Sequence, residues 1–588
     1  MDDILLEDID DDVVVFNDKK NIKNDMKNKK NKKKKVKKLN IYLFIISIIL
    51  ILMIFLTTYL IIKYDILPLK YLIIFIIVVI IIPFVLIFLT LKKKKKKGNA
   101  LKVFLSIIEI IYILILSFGF YYLNKTFNFL DDFTSNNKYQ IKNFYVVALS
   151  ESDYKEIQDL DTEKIGFVNN LNSSIDSANK KLSEVIKVDL VEYDDYTILI
   201  NSLDKKEIEG FVIGDSYFDS LVEEDEELKE KLKVIYKFSL KEKLESFKKE
   251  VNLQKDTFNI YISGIDSYGD VNSLTRSDVN IIVSVNPKTH QILMINIPRD
   301  YYVTLHGTGK KDKLTHAGIY GLDMSVKTLE DLLDIEINYY FKVNYGALEK
   351  LIDALGGVDV YSNYNFTTVG TDKSYYFKKG LNRVNGEKAL YFVRTREAFN
   401  DGDRVRGENQ QAMIQAIIKK ACSKDILFKY SNILDSLKGT FTTNFSTDEI
   451  TDVINMQLDK MPSWNITSIS LNGSDASEYT YSYPNQKLYV MKPNEETINN
   501  AKETLNKVKN GDILDSSYNY TSSTVNEVNI ITPKKQEPKK ETKTETDTKS
   551  GTTEKTDISE KTDVSEKNEN TVQNDKKIVE EETKNNNE

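Results

Sequence analysis

The chain has one cysteine, three histidines and, among its 81 basic residues, only seven arginines. The lone Cys422 excludes an intramolecular disulfide, so any domain on the outer side of a membrane must be held by packing alone. His290, His306 and His316 are too few for a His/Cys zinc site, so any metal should be a hard cation held by oxygen. There is no P-loop, no GxGxxG after a strand and no GxSxG elbow. A substrate should therefore carry its own activated phosphate.

The scarce arginines are confined. Arg276, Arg299, Arg383, Arg394, Arg396, Arg404 and Arg406 all fall between 276 and 406, in a chain that otherwise relies on 74 lysines. Guanidinium presents a planar fork that grips phosphate or carboxylate bidentately and stays charged when desolvated. The confinement points to an anion site, with structural ion pairs as the alternative. Arg383, in the turn-like LNRVNGE, reads as surface structure.

Three stretches are apolar enough to span a bilayer: 41–62 and 71–91, which carry no charge, and 103–123, which carries only Glu109. A polybasic segment precedes the first, so it does not read as a cleavable signal peptide. Lysines crowd 19–38 and fill 92–97, which predicts a cytoplasmic N-terminus and an extracytoplasmic chain after about 124. Glu109 is expected to reach the interface or pair with a loop lysine, and Pro83 to mark a kink. The basic run abuts a span, so it reads as a contact for anionic lipid and not for nucleic acid.

The expected organisation is a cytoplasmic tail (1–40), three membrane helices (41–123), an accessory α/β domain with a helical connector (124–250), a main α/β domain (251–515) and a disordered polar tail (516–588). Strands are predicted at 144–149, 187–193, 196–200 and 208–214 around a helix at 173–186, followed by a charged, helix-prone connector at 222–250. In the main domain, strands are predicted at 258–265, 279–285, 291–297 and 339–343. Helices are predicted at 317–333, 345–355 and 408–422, the second ended by Gly356-Gly357. A further helix and the strand ITSISL fit 447–475. This alternation implies a sheet between helices.

The chemistry-bearing residues fall at the edges of these elements. Asp266 follows a strand and Asp278 closes Arg276-Ser277-Asp278, so together the two carboxylates would suit Mg²⁺ or Mn²⁺. Arg299 lies just past another strand. Arg394 and Arg396 would share one side if VRTR is extended, and Arg404 and Arg406 would sit in a polar loop opening a helix.

GID…RSDVN, NPKTHQILMINIPRD, DKLTHAGIYG, LGGVDV, FVRTR and DGDRVRGENQQ together resemble the LytR–CpsA–Psr (LCP) family over about 258–422. The three spans and accessory domain are similar to its CpsA branch. The resemblance implies the LCP fold, a central mixed sheet sandwiched by helices with an apolar cleft for a polyprenyl chain. It implies a phosphotransferase moving an anionic glycopolymer (capsule, teichoic acid or a related polysaccharide) from an undecaprenyl diphosphate carrier to peptidoglycan. By position, it implies Asp266 and Asp278 as metal ligands and Arg276, Arg299, Arg394, Arg396, Arg404 and Arg406 as the diphosphate cluster. Asp403 and Gln410 match positions that orient that cluster. Asp278 or Asp403 would take the acceptor proton, while Lys313, Thr315 and His316 fall in a motif of less defined role. A receptor for lipid-linked precursors, or a diphosphatase using water, are the competing readings.

Overall fold

Each of the three apolar runs forms a helix in the computed structural model, which describes residues 11–514 except 66, 93–98, 137–138, 170–173, 244–248, 266–270, 370–371, 424–432 and 434–438. Asp266 and the 516–588 tail lie outside the described residues. Helix α1 (Asp11–Lys63) begins far upstream of its apolar part. Next come α2 (Leu69–Phe75), a π-helical turn (Ile76–Ile81), α3 (Ile82–Leu91) and α4 (Asn99–Asn136). The spans Met26–Lys63, Leu69–Leu91 and Ala100–Asp132 are long and apolar enough to cross a membrane. Their exposed apolar side chains, Phe55, Ile62 and Phe84 among them, suit a lipid surrounding. The π-turn directly precedes Pro83, whose missing N–H breaks the regular ladder there. Glu109 is buried between helices and accepts from Ser47 Oγ on α1 at 3.1 Å, while the lysines at 93–97 of the preceding loop lie outside the described residues.

The accessory domain is a five-stranded mixed sheet of order β3-β2-β4-β1-β5. Its strands are β1 (Tyr139–Leu149), β2 (Lys164–Val168), β3 (Asp189–Tyr193), β4 (Gly210–Gly214) and β5 (Leu232–Lys243). Helix α5 is Ile175–Val185. Two expectations fail here. Residues 196–200 are not a strand but open α6 (Tyr196–Asp204), because Asp195 Oδ1 accepts from Ile198 N at 2.9 Å and caps a helix. The helix then buries Tyr196, Leu199, Ile200 and Leu203 on one side, and a five-residue apolar run cannot by itself distinguish the two structures. Among its described residues, the charged connector is helical in α7 (Asp215–Glu224) and α8 (Glu226–Lys231). It then becomes β5, an edge strand whose charged side chains face water.

The main domain is built on a six-stranded mixed sheet of order β16-β11-β6-β7-β8-β17. In chain order its strands are β6 (Phe258–Ile265), β7 (Val279–Asn286), β8 (Gln291–Asn296), β11 (Tyr339–Asn344), β16 (Phe441–Thr443) and β17 (Asn465–Ser470). Between β8 and β11 lie the hairpin β9 (Tyr302–Thr304) and β10 (Lys311–Lys313), then α9 (Leu314–Ala317) and α10 (Leu322–Leu333). After β11 come α11 (Tyr345–Ala354), β12 (Val358–Ser362), β13 (Phe366–Thr367), β14 (Tyr376–Phe377), β15 (Gly380–Val384), α12 (Gly386–Arg394) and α13 (Gly402–Ala421). Around β17 lie α14 (Thr447–Lys460), β18 (Gly473–Tyr479), β19 (Lys487–Pro493) and α15 (Glu495–Asn510). β7 and β8 are buried on both faces, which is why VNIIVSV and QILMIN read as unbroken apolar runs. One face packs on α10 and α15 through Leu293, Val326, Leu329 and Leu505. The other looks onto α13 and α14 through Ile281, Met294, Ile414 and Val453.

Helix α14 also touches the membrane-anchor helices. Asn455 Nδ2 donates to Asp65 O (2.7 Å), Tyr71 Oη to Leu458 O (3.3 Å) and Thr447 Oγ1 to Asp131 Oδ1 (3.1 Å). Ile450 packs against Leu60, Tyr64, Phe127 and Leu130. At the far end of the domain, Gln291 fastens the segment after α15, accepting from Leu514 N (2.7 Å) and donating to Asp512 O (2.9 Å). Gln291→Ala strands both groups, at a cost of about 1–3 kcal/mol. Hydrogen exchange at the Leu514 amide should accelerate about ten- to hundredfold. Unchanged exchange would contradict this latch.

Candidate active site

The site forms where β6, β8 and β11 end, at the carboxyl edge of the sheet where open α/β folds gather ligands. Asp278 is fixed from beneath. Its amide donates to Gly264 O (2.8 Å) and the preceding Ser277 amide to Thr315 O (3.2 Å). Ser277 Oγ lies 2.8 Å from Ser263 Oγ and 3.0 Å from Tyr261 Oη, and the tyrosine in turn donates to Asn280 Oδ1 at 2.6 Å. This buried network leaves the Asp278 carboxylate little freedom.

Onto that carboxylate comes Arg299. Its Nη1 donates to Asp278 Oδ1 at 2.7 Å and its Nε to Asp300 Oδ2 at 3.3 Å. Lys313 Nζ stands 3.6 Å from the other oxygen of Asp300, with both side chains almost fully buried. Burial opposes the charge on Arg299, but Asp300 and Asp278 outweigh it, with Asp403 adding, and they hold the guanidinium pKa above its ordinary value. Arg276 is also raised. Burial works against it, Asp278 and Glu223 override, and Arg299 repels it. Arg276 is hydrogen-bonded to Glu223, on α7 of the accessory domain. No sequence signal marked Glu223, one acid in a charged run, and Asp300 closes the NPKTHQILMINIPRD motif but carried no assigned role.

Helix α13 brings the next group. It starts at Gly402, six residues earlier than predicted, so Arg404 and Arg406 lie in its first turns and not in a loop. The predicted boundary fails because the first turns, Gly402–Gly407, are charged and glycine-containing and bury one apolar side chain, Val405. Asn409 Nδ2 donates to Phe392 O (3.1 Å) and Gln411 Nε2 to Ile469 O (2.7 Å). The helix comes very close to the sheet and to the VRTR segment. A Cβ on Gly407 would meet Asn296 Nδ2 at 2.3 Å, and one on Gly402 would meet Arg396 O at 2.3 Å. Asp403, Arg406, Gly407 and Gln410 share this inward face by helical spacing. Arg406 Nη2 is 3.0 Å from Asp403 Oδ1 but off the direction a hydrogen bond needs, so that buried oxygen has an ion-pair neighbour and no hydrogen bond.

The remaining arginines divide. Arg404 lies on an adjacent face, bound to Asp401 and to Glu408 (2.7 Å), a pairing within its own helix. Arg383 pairs with Asp359 at 3.1 Å on exposed β15. VRTR is not an extended piece. The apolar stripe Ala389, Leu390, Phe392 and Val393 keeps it helical until Arg394, and Arg396 follows in coil, with both arginines exposed. Arg394 sits over the Tyr345 ring at 4.8 Å. His316 is buried and pairs through Nδ1 with Asp312 Oδ1 (2.7 Å).

From Tyr345 and Gln410 an apolar cavity of about 600 Å³ runs between the sheet and helices α11, α13 and α14. Its walls include Ile262, Val283, Leu351, Met413, Ile414 and Val453. Tyr345, Asn344 and Gln410 supply polar groups at the arginine end, an arrangement suited to a ligand with an apolar tail and a charged head.

A sequence profile of the LytR–CpsA–Psr family matches residues 216–507. The chain belongs to this family. Among curated relatives, the polyisoprenyl-teichoic acid–peptidoglycan teichoic acid transferase TagU of Bacillus cereus (strain AH820) is 36% identical over 201 residues, covering 34% of this chain and 64% of the relative. TagU of Enterococcus faecalis (strain ATCC 700802 / V583) is 35% identical over 209 residues, covering 35% and 67%. The LCP chain thus spans just under two thirds of the Bacillus relative's length. Among solved structures, B. subtilis TagV is 29% identical with a TM-score of 0.37, covering 44% of this chain and 99% of that one. For B. subtilis TagT the values are 31%, 0.34, 45% and 94%.

The only tryptophan of the chain, Trp464, lines the cavity. A long-chain prenyl phosphate entering it should therefore shift or quench intrinsic tryptophan fluorescence, and Val453→Arg should weaken that response at least tenfold. An unresponsive Trp464 would argue against an accessible cavity.

Proposed function

We propose that this chain is a phosphotransferase that moves an anionic glycopolymer from an undecaprenyl diphosphate carrier to peptidoglycan. The observation that carries the reading is that the 600 Å³ apolar cavity reaches Tyr345, over which Arg394 lies, and Gln410, on the α13 face that also carries Arg406. In this reading the prenyl tail lies in the cavity and the diphosphate meets Arg276, Arg299, Arg394, Arg396 and Arg406. The relatives' name, a teichoic acid transferase acting between polyisoprenyl carrier and peptidoglycan, agrees with it. Helix α14 is both a cavity wall and the contact with the anchor helices, which suits a substrate drawn from the bilayer. The lysines at 19–38 and 92–97 favour a cytoplasmic N-terminus and an outward-facing site.

In the proposed step, a sugar hydroxyl of the acceptor attacks the polymer-proximal phosphorus. The new O–P bond forms as the bond to the bridging oxygen breaks, and undecaprenyl phosphate leaves. The guanidinium groups meet the charge that develops on the phosphoryl oxygens. Asp403 is the better proton acceptor of the two candidates, since its Oδ1 has no hydrogen bond while Asp278 Oδ1 is occupied by Arg299.

A divalent cation fits the chemistry of the donors. Asp278, Asp300 and Asp403 all act on Arg299, and carboxylate oxygen is what Mg²⁺ or Mn²⁺ prefers. Among the described residues no three acidic, histidine or cysteine side chains converge as a complete ligand set, so Asp278 would need Asp266 beside it. A bound cation would neutralise part of the diphosphate charge. Asp278→Asn tests this with inorganic pyrophosphate as probe. Without divalent cation the variant should bind more tightly than wild type, because Arg299 loses a competing carboxylate. With Mg²⁺ the wild type should gain affinity and the variant should not. An equal gain in both would exclude Asp278 as a ligand.

The transfer reading is tested by incubating the purified full-length protein with a lipid-diphosphate glycan, Mg²⁺ and peptidoglycan fragments. A covalent conjugate supports transfer, free phosphate-ended polymer supports a diphosphatase, and unchanged lipid supports a receptor. Arg299→Lys keeps the charge but removes the fork, losing charge-assisted bonds of about 1.5–3 kcal/mol and slowing transfer about ten- to hundredfold. Wild-type transfer by that variant would contradict bidentate binding.

A further inference from the structure

A second cleft, of about 910 Å³, lies between the accessory domain and the segment 479–486 of the main domain. Its chemistry is unlike that of the arginine site. One wall presents the carboxylates Asp194, Asp195 and Asp225, and the facing wall presents the partly exposed rings Tyr302, Tyr479 and Tyr481. Its lysines are engaged: Lys231 pairs with Asp204, while Lys310 and Lys311 lie over Tyr481 and Tyr302 at 4.9 and 5.4 Å. The lining carries four carboxylates, Asp194, Asp195, Asp204 and Asp225, against three lysines, so its charge balance disfavours a phosphate-bearing chain. A neutral polyhydroxylated chain would find acceptors on one side and flat amphipathic rings on the other.

The cleft is preformed. Asp312, fully buried, accepts from Ser482 N (2.9 Å) and Ser482 Oγ while holding His316. The neighbouring Tyr483 Oη lies 3.0 Å from Ser220 Oγ of the accessory domain, and Tyr217 donates to Ser482 O. Asn485 reaches Asp195 across the cleft at 3.4 Å. Tyr302 is oriented by its bond to Tyr479 O at 2.7 Å. The loop is thus bonded to both domains, and the rings are presented at low entropic cost.

The cleft also leads to the chemistry. Tyr302 and Lys311 belong to hairpin β9–β10 at its floor, and Lys313 at the end of that hairpin pairs with Asp300. Arg299 is three residues before Tyr302, in the turn closed by Tyr301 N donating to Pro298 O (3.2 Å) that leads into β9.

We propose that this interdomain cleft binds an uncharged glycan strand and, on the transfer reading above, guides the acceptor to the arginine site. The rings favour sugar, because a pyranose packs its C–H face on a flat aromatic ring while its hydroxyls meet the carboxylates opposite. The test measures binding of a soluble, peptide-free β-1,4-linked N-acetylhexosamine oligomer to the full-length protein by calorimetry. Tyr481→Ala and Asp194→Ala, on opposite walls, should each weaken binding tenfold or more and leave inorganic pyrophosphate binding within twofold of wild type. If Tyr481→Ala does not fold, the exposed Asp194→Ala carries the test. Unchanged oligomer affinity in the folded variants would overturn the proposal, as would binding of a stem peptide or a glycerol-phosphate polymer in place of the oligomer. Loss of pyrophosphate binding by the wild type itself would instead count against the arginine site, and the oligomer result would still decide the cleft.

Discussion

The structure of the site depends on one run of alternating charges: Lys313, Asp300, Arg299, Asp278, Arg276 and Glu223. Each member compensates its neighbours, and removing one leaves the next partly buried and unpaired. The run starts at hairpin β9–β10, crosses the ends of the sheet strands and finishes on α7 of the accessory domain. Both domains therefore set the position of Arg299. The carboxylates keep the guanidinium groups charged and oriented in a half-buried site, with donors left over for an incoming anion.

A charged cluster alone would bind many anions. The apolar cavity beside it narrows the ligand to one that joins a long hydrocarbon to a charged head. The two parts share residues, since Gln410 lies on the inward face of α13 and also lines the cavity. Helix α14, packed on the cavity side and bonded to the anchor helices, links this arrangement to the membrane. The interdomain cleft with its tyrosines approaches the same charges from the other end of the hairpin. A donor and an acceptor can thus reach Arg299 from separate directions.

Much of this was legible in the sequence. The central strands were read correctly because β7 and β8 are buried on both faces and leave continuous apolar runs. The arginine set stood out because lysine is the default cation elsewhere. The errors have physical causes. The segment 196–200 is a helix because Asp195 caps it, and a short apolar run does not reveal which period applies. β5 looked helical because an edge strand tolerates the same Lys and Glu residues as a solvated helix. Helix α13 was truncated because its first turns, Gly402–Gly407, hold two glycines and three charges around a single buried apolar residue, Val405, and so read as a polar loop. Arg404, adjacent in sequence to the inward-facing residues, points to Glu408 because one residue is 100° of helix. Glu223 was invisible, since its importance comes from a contact 53 residues away.

The central claim is that tail and head of one lipid occupy the cavity and the arginine cluster together. Photo-crosslinking with a prenyl diphosphate that carries a diazirine near the end of its tail tests it most directly, with the labelled peptides mapped by mass spectrometry. The account predicts labelling of α11 and α13, at residues such as Leu351 and Met413, competed away by unlabelled lipid diphosphate and reduced in Arg299→Lys. Labelling confined to the three membrane helices, or labelling of the cavity that is indifferent to Arg299, would contradict it.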